Sequence, residues 1–145
     1  MYKIKLIDGP NLNMLGTRNP AVYGTTTLAE IERELEELGF SKGALVDCFQ
    51  SNCEGEIIDE IHSCYKKYDG IIINAGAYTH YSYAIRDAIE AVEIPTIEVH
   101  LSDIHKREPF RHVSVIEPVC KKQICGKGKQ GYFDALDVLL NEYIK

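Results

Sequence analysis

Gly70-Ile71-Ile72-Ile73-Asn74 decides how the rest of the chain is read. Five residues is a strand length, and three consecutive isoleucines leave no face for water. Such a run fits a strand buried on both sides of a parallel sheet. Asn74 closes it and opens a polar loop, Ala75-Gly76-Ala77-Tyr78-Thr79-His80. Working outward, short apolar runs at Ile4 to Asp8, Ala44 to Phe49, Thr96 to Val99 and Val113 to Val119 predict four more strands. Helical periodicity fills the intervals. Leu28, Ile31, Leu35 and Leu38 share one face behind Thr27, a capping residue with Glu30 three positions on, and Gly39 is expected to end that helix. Ile57, Ile58, Ile61 and Cys64 mark a helix over about 55–67. Ala84, Ile85, Ala88, Ile89 and Val92 mark another over about 80–92, and Leu136, Leu139, Leu140 and Tyr143 a last one over about 131–144. Residues 9–26 lack periodicity and read as a long loop, the kind that is usually functional in a compact domain.

Strands that alternate with helices build a parallel sheet covered on both faces. With right-handed crossovers this predicts an α/β, flavodoxin-like, doubly wound five-stranded parallel sheet, with residues 1–145 forming a single domain. The net charge of -6 repels phosphate backbones and argues against a nucleic-acid partner. No apolar run is long enough for a bilayer, and Met1-Tyr2-Lys3-Ile4-Lys5 enters a strand without a signal-peptide pattern, so neither a membrane nor export is expected and a cytoplasmic location is. The five cysteines are irregularly spaced and read as free thiols.

In an open parallel sheet, ligands bind beyond the carboxyl ends of the strands. There the chain places Asn11, Asn13, Arg18 and Tyr23 after the first strand, then Gln50, Ser51 and Asn52, then Asn74 and His80. Glu98 lies on the fourth strand, followed by His100, Leu101, Ser102, Arg107 and Arg111. Singly, each has an ordinary explanation: Asn forms turns, and loop Arg makes solvated ion pairs. Their concentration on one rim points to a site for a hydroxylated anion. Gly126-Lys127-Gly128-Lys129-Gln130-Gly131 has dinucleotide-motif spacing, but it opens the last predicted helix and no second strand follows, so it reads as a packing loop. Neither Cys120 with Cys125 nor His100 with His105 has a zinc-site spacing, and no metal or other cofactor is expected.

The segments GPNLNMLGTR (9–18), Tyr23-Gly24, FQSNCEGEIID (49–59), DGIIINAGAYTH (69–80), AIRDAIEAV (84–92), EVHLSD (98–103), REPFRH (107–112) and GKGKQGY (126–132) together resemble the type II 3-dehydroquinate dehydratase family. The resemblance spans nearly the whole chain and rests on polar loop residues. At four positions the chain departs from the family's usual residues: Asp8 for Asn, Ala75 for Pro, Tyr81 for Thr and Asp103 for Asn. Asp8 places an extra carboxylate beneath the site.

The resemblance implies a shikimate-pathway hydro-lyase that converts 3-dehydroquinate to 3-dehydroshikimate by anti elimination through an enolate. Tyr23 resembles the base. Ionising a phenol at pH 7 costs about 4 kcal/mol without help, and Arg18 resembles the supporting cation, with Arg107 as a second. His100 resembles the acid that protonates the departing hydroxyl, and an imidazole suits that task near neutral pH. Glu98, two residues away on the same strand face, can orient it. Asn11 resembles the holder of a water at the enolate oxygen. Asn74, Ser102 and the backbone N–H groups of Leu101 and Ser102 resemble the carboxylate cradle, and His80 and Arg111 the ring-hydroxyl binders. Asp87 resembles a residue that reaches a neighbouring subunit's site in a dodecamer of trimers. The loop carrying Arg18 and Tyr23 is expected to close over the substrate.

Two other readings share the fold. An FMN-binding electron carrier needs a Ser/Thr-rich phosphate cradle after the first strand, which is missing. A receiver-like signalling domain needs a phosphorylatable Asp at the end of the third strand, where this chain has Asn74.

Overall fold

The apolar runs become strands β1 (Tyr2–Asp8), β2 (Ala44–Gln50), β3 (Gly70–Asn74) and β4 (Thr96–His100), and a fifth, β5, spans Lys122–Cys125. The computed structural model describes residues 1–17, 19–23 and 25–144, and of Val22 and Tyr23 the backbone alone. All five strands are parallel, in the order β2-β1-β3-β4-β5. This is the flavodoxin-like doubly wound order, in which the chain changes direction between β1 and β3. Every residue of β3 is buried, as its isoleucines require.

The fifth strand is not Val113–Val119. That segment bends and ends in a 3-10 turn, Glu117–Val119, with Pro118 inside it. Proline offers no N–H to a ladder. The Ser114 hydroxyl accepts from the Glu117 N–H at 3.1 Å and turns the chain, while the Val115 N–H goes to the Thr79 carbonyl at 2.9 Å. Val115 and Ile116 are buried all the same, so their apolarity marks core packing and not a strand.

The helices are α1 (Pro20–Tyr23), α2 (Leu28–Ser41), α3 (Glu54–Ser63), α4 (Tyr83–Val92) and α5 (Gln130–Val138), the last continued by a π turn over Leu139–Tyr143. Residues 9–26 thus hold a 3-10 turn at Leu12–Met14 and the short α1 where sequence periodicity is absent. Thr27 caps α2, its hydroxyl accepting from the Glu30 N–H at 3.2 Å. Gly39 does not end α2. It lies inside the helix, where a Cβ would come within 2.7 Å of Val46 Cγ2 and 3.3 Å of the Ala44 carbonyl oxygen, so glycine permits close helix–strand contact. Helix α3 stops at Ser63, short of the left-handed Lys66 (φ 60). Helix α4 begins three residues later than expected because Gly76–His80 forms its own 3-10 turn and the Ser82 hydroxyl caps the new start by accepting from the Ile85 N–H at 3.0 Å.

Two apolar layers sandwich the sheet. Ile4, Leu6 and Ile72 pack with Leu28, Ile31 and Leu35 of α2 and with Tyr132, Ala135 and Leu136 of α5. Ile7, Ile71 and Ile73 pack with Ile57 and Ile61 of α3 and with Ile85, Ala88 and Ile89 of α4. Strand alternation then assigns the polar ends. Asp8 and Asn74 continue the faces of Leu6 and Ile72, toward α2 and α5. Glu98 and His100 lie opposite Ile97 and Val99, toward α3 and α4. All five cysteines are free thiols, with Cys53 exposed at the start of α3. Among the described residues, no helix is long and apolar enough to cross a membrane.

Candidate active site

The loops after β1, β3 and β4 enclose a cavity of about 230 Å³ at the carboxyl edge of the sheet. It is lined by Pro10, Asn11, Leu12, Asn74, Gly76, Ala77, His80, His100, Leu101, Ser102, Ile104, Arg107 and Arg111. The position is the β1/β3 switch point, where adjacent loops diverge and leave a crevice.

Close backbone contacts shape the walls. The Gly9 N–H donates to the Asn74 carbonyl at 2.7 Å, and a Cβ on Gly9 would stand 2.6 Å from the Ala75 carbonyl oxygen. Asn11 adopts a left-handed conformation (φ 71), with its backbone N–H donated to Asn52 Oδ1 at 2.9 Å. Gln50 Nε2 donates to the Gly9 carbonyl at 3.1 Å, so the loop after β2 braces the one after β1. On the far side, the carbonyls of Ser102 and Leu101 accept from the N–H groups of Gly126 and Gly128, both at 3.0 Å. The glycine-rich segment after β5 therefore serves as a packing loop that fixes the β4 loop.

His100 and Glu98 form a buried pair, 5% and 0% exposed. His100 Nε2 lies 2.5 Å from Glu98 Oε2, which also accepts from Gln123 Nε2 at 3.1 Å, while Glu98 Oε1 accepts from the Ser114 hydroxyl at 3.0 Å. Three donors satisfy the buried carboxylate. They also assign the imidazole: Nε2–H faces Glu98, and Nδ1 is the nitrogen left for the cavity.

Asn74 is held as firmly. Its Oδ1 accepts from the Gly76 N–H at 3.1 Å and its Nδ2 donates to the Tyr132 hydroxyl at 3.0 Å; that hydroxyl in turn donates to Asp8 Oδ1 at 2.7 Å. Positive charge gathers at the mouth. Arg107 Nη1 is 3.4 Å from the Ser102 hydroxyl, and Arg111 Nε pairs with Glu108 at 3.2 Å while its guanidinium lies over the Phe110 ring. His80 Nδ1 bonds the Val113 carbonyl at 2.8 Å, and burial holds its imidazole below the ordinary histidine value, with His100 and Arg111 pushing the same way.

Of the residues expected from the sequence, Asn11, Asn74, His80, His100, Leu101, Ser102, Arg107 and Arg111 thus meet at one cavity, with Glu98 directly behind. Asp87 is exposed on α4 and lies away from it. Arg18 and the side chain of Tyr23 fall outside the described residues. Sequence reasoning missed Ser114, Gln123 and Tyr132 as supporting residues. Gln123 becomes visible only once β5 is placed, since it pairs in register with Glu98. The fold also brings Asp103, His105 and Cys125 within 4.8 Å of one another, a metal-capable grouping that sequence spacing did not signal.

An anion with hydroxyl groups fits these walls: two guanidinium groups, an oriented amide, a serine hydroxyl and two imidazoles, one of them paired with the buried Glu98 at the floor. Comparison with known proteins places this geometry in a family context. The family model described as dehydroquinase class II matches residues 2–140. A protein named 3-dehydroquinate dehydratase from Clostridium perfringens is 57% identical over 97% of this chain and 98% of its own length. One of the same name from Anoxybacillus flavithermus is 53% identical over 97% of this chain and 95% of its own. The crystal structure of a type II dehydroquinase from Butyrivibrio crossotus superposes with a TM-score of 0.95 at 51% identity, covering 97% of this chain and 98% of that one.

Proposed function

The chain belongs to the class II dehydroquinase family, and on that premise we propose that it dehydrates 3-dehydroquinate to 3-dehydroshikimate by anti elimination through an enolate. The observation that carries this reading is the buried Glu98–His100 pair at the floor of a cavity that Asn11, Asn74, Arg107 and Arg111 also line. Elimination needs a base at the α-carbon, stabilisation of the enolate and an acid at the leaving hydroxyl. His100 is the acid. It acts as an imidazolium: Nε2–H stays on Glu98, Nδ1–H gives its proton to the departing hydroxyl, water leaves, and the ring is left neutral. Tyr23 is the base, ionised with the help of Arg18 and Arg107, since nearby positive charge favours a phenolate. Asn11 holds a water at the enolate oxygen.

Asn74, Ser102 and the N–H groups of Leu101 and Ser102 take the substrate's carboxylate, while His80 and Arg111 take its ring hydroxyls. The neutral Asn74 amide presents its second Nδ2 hydrogen to an anion, because the first is given to Tyr132. The reaction belongs to the shikimate pathway and uses no lysine Schiff base. We read residues 1–145 as one domain, active in the cytoplasm as a dodecamer of trimers in which Asp87 reaches a neighbour's site.

The test is direct. With 3-dehydroquinate added, the ultraviolet absorbance of the conjugated enone product should rise, and Tyr23→Phe should abolish the rise. No signal from the unmodified protein, or equal signals from both, would overturn the assignment. Borohydride with substrate should leave activity intact, whereas covalent trapping would exclude this mechanism.

A further inference from the structure

We propose that Asp8 is a positioning residue: as a neutral acid it aims the Asn74 amide at the substrate's carboxylate through Tyr132, and its ionisation weakens substrate binding. The inference rests on the dehydratase reading and extends it to a residue that touches no substrate.

Asp8 ends β1 and is fully buried. Its two oxygens differ. Oδ1 accepts from the Tyr132 hydroxyl at 2.7 Å, while Oδ2 is buried and has no hydrogen-bond partner among the described residues. A charged carboxylate oxygen without a donor is far costlier to bury than a protonated one. The proton therefore sits on Oδ2, and Oδ1 serves as a carbonyl-type acceptor. Tyr132 uses its hydrogen on Asp8 and its lone pair on Asn74 Nδ2, and Asn74 Oδ1 holds the Gly76 N–H at 3.1 Å. The amide is thus locked in one of its two flips, with one N–H left to face the cavity that Asn74 lines.

The surroundings set when this state is lost. Burial pushes the Asp8 carboxyl up to about 7, the Tyr132 bond opposes this, and the charge of Glu32 on α2 adds to it. The other titratable groups facing it are neutral: Tyr132 from α5, its phenol raised by burial and by Asp8, and Cys48 from β2, its thiol raised mainly by burial. Among the described residues, β3 sets the Asn74 amide beside Asp8, a group that does not titrate. Above neutrality Asp8 becomes an anion two hydrogen bonds behind the carboxylate cradle, and like charge opposes an anionic substrate across a low-dielectric path.

The experiment is a comparison of kcat and KM between pH 5.5 and 9 for the unmodified protein, Asp8→Asn and Tyr132→Phe. Every other titrating group is shared, so the difference between profiles isolates Asp8. The KM of the unmodified protein relative to Asp8→Asn should climb about three- to tenfold from pH 6 to 8.5, with the kcat ratio constant. Tyr132→Phe, which cuts the relay, should raise KM at every pH. Parallel KM profiles for the unmodified protein and Asp8→Asn would overturn the proposal, because a purely structural Asp8 would alter stability without bending KM. Absence of turnover at any pH would instead sink the dehydratase reading. The carbon-13 resonance of the Asp8 carboxyl would then decide: titration near 7 in step with the Asn74 amide signals supports the relay, and titration as an ordinary aspartate refutes it.

Discussion

Asp8 also makes stability depend on pH, with a definite sign. Its carboxyl titrates near 3.8 in an unfolded chain and at about 7 when buried. Well below pH 4 both states hold the proton and Asp8 adds no pH dependence. Between about 4 and 7 only the folded state keeps it, so stability falls as pH rises, by roughly 4 kcal/mol in all, and stays lowered above 7. Asp8→Asn should remove that loss, so the gap in Tm between the variant and the unmodified protein should widen from pH 5 to pH 8. A constant gap would show that Asp8 does not bury its proton. His100 belongs to chemistry instead: His100→Gln should lower kcat by about two to four powers of ten and leave Tm within a few degrees. A loss confined to KM would remove His100 from the acid's role. The Glu98–His100 pair was legible because residues two apart on a strand share a face. Tyr132 was not, since it meets Asp8 across 124 residues of sequence and no local pattern marks the encounter.

Single elements show where periodicity informs and where it misleads. Thr27 was readable as a cap, and Thr27→Ala should cost about 1 kcal/mol in denaturant unfolding. Gly39 was misread, and the correction has the opposite consequence to helix propensity. Alanine favours a helix interior by about 1 kcal/mol over glycine, yet Gly39→Ala should destabilise by about 1–3 kcal/mol, because its Cβ would collide with Val46 on β2. A stabilised variant would mean that α2 and β2 can part more easily than their contact suggests. The misplaced fifth strand has the same origin. Val113–Val119 is more apolar than Lys122–Cys125, but β5 is an edge strand that buries only Ile124 fully, so its burial signal is faint. What makes it a strand is pairing with β4, a partnership written in neither segment alone.

At the scale of the whole molecule, the fold class was the most legible feature, because five alternations of strand and helix admit few parallel topologies. Assembly is not written in one chain. Tyr81, Tyr83, Phe110 and Val113 leave large apolar side chains exposed, at 60%, 63%, 59% and 63%. Such surface is what subunit contacts cover. Twelve copies of a 16.4 kDa chain should run near 200 kDa in light scattering. A monomeric mass with full activity would remove Asp87 from any neighbour's site. The thiols offer a way to watch the protein at work. Burial raises the pKa of Cys48, Cys64, Cys120 and Cys125 and blunts them toward alkylation, whereas Cys53 is exposed. A maleimide dye should therefore attach first at Cys53, next to the Asn52 side chain that holds Asn11. The chain thus carries a native labelling handle one residue from the side chain that braces a wall of its cavity, so a dye there can be tested as a reporter of ligand arrival without an engineered cysteine.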